Sequence, residues 1–99
     1  PGAAAEAASG WDGDRFVVWR DKAGRFGLVI ASVWDSAEDA AQAAQAFRET
    51  PARPAAVKVS GDRVVAAWGS AVKSPDKTVA RIIGEFTTRD IKIWQDWFR

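Results

Sequence analysis

Asp12 and Asp14, two carboxylates flanking a glycine, come closest in type and spacing to acid–base or cation chemistry in this sequence. They have little company. The 99 residues contain no histidine and no cysteine, so the usual base and the usual soft nucleophile are both missing. Disulfides and Cys/His zinc sites go with them. A calcium loop needs more oxygen ligands than Trp11-Asp12-Gly13-Asp14 supplies, and neither glycine pattern that cradles phosphate occurs. The plain reading is that Asp-Gly-Asp shapes a turn and one of its carboxylates pairs with Arg15. The expectation is a chain without catalytic, metal or cofactor residues, and not an enzyme.

Binding chemistry has more to work with. Gly24-Arg25-Phe26-Gly27-Leu28-Val29-Ile30 is similar to the aromatic octapeptide of RNA-recognition motifs, in which bases stack on sheet aromatics. The order of glycine and basic residue is swapped, Ile30-Ala31 stand where a second aromatic is wanted, and an apolar central strand explains the same letters. In the tail, Lys92, Trp94, Trp97, Phe98 and Arg99 set aromatics beside cations. That composition suits an interfacial membrane segment or a partner-binding helix. It suits equally a terminal element closing the domain's own core.

Charge narrows the partners. Fourteen basic and thirteen acidic residues leave a net charge of +1, with net −3 over residues 1–50 and net +4 over residues 51–99. The pI of 8.8 follows from the missing histidines rather than from a basic surface. No clustered basic face for duplex DNA is visible. No stretch reaches the roughly 18 apolar residues that span a bilayer, and no signal-peptide pattern occurs. The chain opens on Pro1 and has no methionine, which reads as a processed product or a domain of something longer.

The elements that must position these residues are legible from pattern. Hydrophobic types make up 47% and charged types 27%, the balance of one folded domain. Residues 1–10 read as an Ala-rich lead-in, flexible or the end of an upstream helix; residues 11–99 read as a single α+β domain with an aromatic tail. After a turn-rich stretch over Gly10–Asp14, Arg15–Arg20 and Arg25–Trp34 read as a hairpin about Asp21–Gly24. The second strand is apolar on both faces, as a central strand would be. Asp35 then opens a helix as its N-cap, with Ala37, Ala40, Ala41, Ala44 and Phe47 as the buried stripe. A second hairpin follows at Ala56–Ser60 and Arg63–Gly69 about Gly61-Asp62. Ser74 and Pro75 start a second helix that buries Val79, Ile82, Ile83 and Phe86. The fold expected is α+β: an antiparallel sheet of about four strands in ββαββα order, with both helices on one face.

Six tryptophans divide by position. Trp34 and Trp68 end apolar strands and read as core or core rim. Trp19 with Val17 reads as an exposed patch on the outer sheet face, a partner surface. Gly10-Trp11-Asp12-Gly13-Asp14-Arg15, followed by a Val-rich strand and then Val33-Trp34-Asp35-Ser36-Ala37-Glu38-Asp39-Ala40, resembles a known module. It is the C-terminal module of uncharacterised bacterial proteins with a peptidase-like N-terminal region, and of haloarchaeal surface proteins. The likeness covers residues 8–49. It implies an exported or cell-surface parent, peptidase chemistry confined to the upstream region, and structural roles for Trp11, Asp12, Asp14, Arg15, Trp34 and Asp35. The expected function is a non-catalytic accessory domain that docks a neighbouring domain or another protein through Trp19, Trp94, Trp97 and Phe98. Anchoring at a membrane surface or partner through the tail, and single-stranded RNA binding on the sheet, are the alternatives.

Overall fold

In the computed structural model, β1 (Trp11–Arg20) and β2 (Phe26–Trp34) form an antiparallel hairpin in which Val17 faces Val29 and Arg20 faces Phe26. Residues 11–85 are described, with the backbone alone at 11–14 and 85. β-Branched and aromatic residues give both strands their extended preference. β1 begins four residues before the expected Arg15. Trp11 faces Trp34 while Gly13 faces Val33, so Asp12 is an extra residue in the ladder. The Asp-Gly letters that read as a turn instead form a β-bulge inside a strand. The hairpin turn lies where the sequence places it, with Gly24 at φ 81°.

α1 (Ala37–Arg48) is capped by Ser36, whose hydroxyl accepts from the Asp39 N–H at 3.1 Å. Asp35, expected as the cap, lies one residue too far from that amide and is exposed. The buried stripe is Ala40, Ala43 and Ala44, with Phe47 half-buried; Ala37 and Ala41 face solvent. Alanine occurs at six positions of this helix, so its spacing alone does not choose the inner face. β3 (Ala56–Ser60) and β4 (Arg63–Trp68) form the second hairpin, with Gly61 at φ 58°. α2 (Pro75–Glu85) starts on its proline and buries Val79, Ile82 and Ile83, as expected; Phe86 lies outside the described residues.

The four strands lie in the order β1-β2-β4-β3, and every neighbouring pair is antiparallel. The ββαββα antiparallel sheet read from the sequence is the fold of this chain. β2 and β3 therefore run parallel with β4 between them, and α1 carries the chain across β4 from one to the other.

The helices do not share a face, which corrects the expected layering. Val29, Ala31, Val65, Ala67 and Ala56 pack with Val79, Ile82 and Ile83 of α2. On the reverse side Trp34 and Val64 pack with Ala40, Ala43 and Ala44 of α1. Successive strand residues point to opposite faces, so the consecutive buried run Val64–Ala67 needs cover on both. α1 fills one side, and α2 takes the other. Alanines at the contact let the helices lie close to the sheet, while each fully buried aliphatic such as Ile82 contributes about 1.5–3 kcal/mol.

Candidate functional site

Both helices lie over β3 and β4, and α1 reaches only the end of β2. Among the described residues no helix consequently covers the α1 side of the first hairpin. Three large hydrophobic residues stand out on that side: Phe16 is 64% exposed, Val18 53% and Phe26 40%. The register sets Phe16 beside Ile30, Val18 beside Leu28, and Arg20 beside Phe26. Leu28 and Ile30 are half-buried, so the five apolar side chains form one strip across two strands. A contiguous exposed apolar patch of this kind is the ordinary mark of an interaction surface.

The exposed patch expected around Trp19 and Val17 is thus on the other phase of β1. Val17 and Trp19 are half-buried and pack against the α2-side core. Trp19 faces Gly27, and a Cβ at Gly27 would come within 2.5 Å of the indole Cζ2. The glycine is the hollow in which the ring lies. Phe16 and Val18 alternate with Val17 and Trp19 in equally apolar letters, so the strand's own pattern does not say which pair is inside. The glycine across the ladder is the signal that could have said so.

The tip of the hairpin is held by Asp21. Its carboxylate accepts from the Arg25 and Ala23 amides, each at 2.9 Å, and from Arg25 Nε at 2.6 Å. The Arg25 backbone hydrogen bond, ahead of the Arg25 guanidinium, holds this carboxyl below the usual carboxylate range. Arg20 donates to the Gly24 carbonyl at 3.0 Å. Arg20, opposite Phe26 in the register, therefore lies at that end of the strip, while Arg25 is paired with Asp21.

The other residues singled out from sequence fall elsewhere. Trp34 is buried, as expected, and its Nε1–H donates to Ser32 Oγ at 2.9 Å; that hydroxyl in turn donates to the Val64 carbonyl at 3.2 Å. Ser32 is the one buried polar side chain among the described residues, and this relay satisfies it. Trp68 sits at the core rim, donating to the Ala52 carbonyl at 2.7 Å and meeting Phe47 edge-on at 5.6 Å. Trp11, Asp12 and Asp14 lie on the bulged start of β1, followed by exposed Arg15. Trp94, Trp97 and Phe98 lie outside the described residues. The sequence reading missed Phe16, Val18 and Phe26 as surface residues.

Among the described residues no group of three or more His, Cys, Asp or Glu side chains is placed to hold a metal ion. No helix among them is long and apolar enough to cross a membrane. What the geometry offers is a two-stranded apolar surface with Arg20 at one end. Comparison with curated proteins and with solved structures finds no match. A family model described as a domain of unknown function, DUF8575, matches residues 2–90, and the chain belongs to that family.

Proposed function

We propose that this chain is a non-catalytic docking module that binds a neighbouring domain or another protein on the side of its first hairpin that none of the described helices covers. One observation carries the reading: Phe16, Val18 and Phe26 are exposed together on one face, while every comparable face elsewhere in the described fold is closed by a helix or by Trp19. Removing such a strip from water on binding is favourable at roughly 25 cal/mol per Å² of apolar area. The sheet backbone that presents it is already ordered, so the ordering cost of binding is confined to side chains. An exported or surface-associated parent, implied by the likeness over residues 8–49, is the setting this role fits.

A photo-cross-linking phenylalanine analogue at position 16 tests it in the native host. Protein adducts at position 16, with none from the same analogue at exposed Gln45 on α1, are the expected result. Lipid adducts, or equal labelling at both positions, overturn the reading.

A second reading rests on the same face. Phe16 and Phe26 are exposed aromatics with Arg20 beside them, the elements that stack and neutralise single-stranded RNA. Retention of mixed single-stranded RNA on filters at low salt, lost in Phe26→Ser, favours it over protein docking. No retention at tens of micromolar protein ends it.

A further inference from the structure

The sheet has two edges, and they are built differently. The β3 edge is five residues long, carries exposed Lys58 and is reached through Pro54, two devices that discourage another strand from pairing there. The β1 edge is ten residues long; its bulge and its charged residues lie to either side of the uncharged run Phe16 to Trp19. Its two α1-side hydrophobics, Phe16 and Val18, are the most exposed large apolar residues of the described fold. We propose that a second copy of this chain pairs antiparallel along the outer edge of β1, about a twofold axis through Val17.

The register follows from ladder geometry and charge. In an antiparallel pair, facing residues either both exchange hydrogen bonds or both point them away, and this alternates along each strand. A strand facing its own copy must therefore match odd with odd and even with even, which puts the axis through a residue. An axis at Phe16 sets Asp14 against Val18. One at Val18 sets Phe16 against Arg20. Only the axis at Val17 sets Phe16 against Val18 and, at both ends of the seam, Asp14 against Arg20. Apolar then meets apolar and acid meets base, the pairings that stabilise neighbouring strands. Arg20 uses one guanidinium nitrogen on Gly24 and has further donors to offer. The seam is short, and an interface well under about 1,200 Å² gives a weak, concentration-dependent dimer.

This goes beyond the docking reading, because it concerns the edge of β1 and names the chain itself as partner. The test exploits the missing cysteines, since any thiol introduced is the only one in the molecule. Under mild oxidation Val17→Cys should form a covalent dimer, and an equimolar mixture of Phe16→Cys with Val18→Cys should form the mixed dimer. Phe16→Cys alone and Val18→Cys alone should each stay monomeric. Sedimentation of the unmodified chain should show a mass rising from 10.7 kDa toward twice that value with concentration. Asp14→Arg or Arg20→Asp alone should weaken the dimer at least about tenfold, and the double reversal should restore it. Monomer at every concentration, cross-linking of Phe16→Cys to itself, or no effect of single reversals would overturn the proposal. Circular dichroism on each variant confirms that the fold is intact. An adduct from position 16 at twice 10.7 kDa reads the seam and one at any other mass reads the docking face, so either result can fail without the other.

Discussion

The β4–β3 half of the sheet and the β1–β2 half are made of similar residues and end in opposite situations. Over β4, alanine and valine meet a helix on each side, and four consecutive residues are sealed from water. Over β1, one face is closed by Trp19 lying in the hollow at Gly27, and the other carries the most exposed large apolar side chains among the described residues. The difference is one of supply. Two short helices cover two strands on both sides, and nothing in the described fold is left for the fourth face. That open apolar face among the described residues is what the docking proposal rests on.

That contrast can be broken or sharpened by substitution. The largest effect belongs to the sealed half: Ile82→Ala should cost about 2–5 kcal/mol in chemical denaturation, by lost burial plus a cavity. Next comes the contact that closes the inner face of β1. Gly27→Ala drives a methyl group into the Trp19 ring and should cost about 1–3 kcal/mol, with a change in near-ultraviolet dichroism. A cost below a few tenths of a kcal/mol would mean that Trp19 is loosely held. Ser32→Ala leaves the buried Trp34 indole N–H without its acceptor and should cost about 1–3 kcal/mol.

Acid sensitivity of the open hairpin is a smaller effect. The Asp21 carboxyl is held low in the folded state, so its contribution to stability is complete above the unfolded value near 3.9 and is lost as pH falls through the folded one. Melting between pH 5 and pH 2 should therefore show a shallower acid loss in Asp21→Asn than in the parent chain; an equal loss would remove Asp21 from the account. Smallest of all, Phe16→Ser should change the isolated domain's stability by no more than about 0.5 kcal/mol. A loss of 2 kcal/mol or more, on the scale of a buried side chain, would show that this face is core and collapse the comparison.

Much of this fold was legible in the letters. Period-two apolar runs, Gly24 and Gly61 at turns, and Pro75 at a helix start fix the elements and their order. The two-sided apolar pattern of β2 asks for cover on both faces, yet both helices were expected on one. What escaped was which helix covers which face, because that depends on β3 pairing beyond β4 rather than beside β2. The alanine-rich α1 offers several equivalent stripes, so burial is settled by the sheet rather than by the helix. The surface strip was misassigned for a similar reason. In β1 the two phases are equally apolar, and only the glycine on the neighbouring strand reveals where the indole goes.

The strand order has a kinetic consequence. The two hairpins can each close through local turns, but they join along the ladder that runs from the Leu28–Trp68 pair to the Val33–Arg63 pair, contacts far apart along the chain. Closing that long loop is the slow event for a protein of this size. Until it happens, the inner edge of β2 is an open template between two halves that are already shaped. The connector Thr50–Ala55, outside every helix and strand, is thus a natural place to divide the molecule. Two fragments cut there should reassemble through β2 and β4, with a rate that depends on concentration instead of on loop closure.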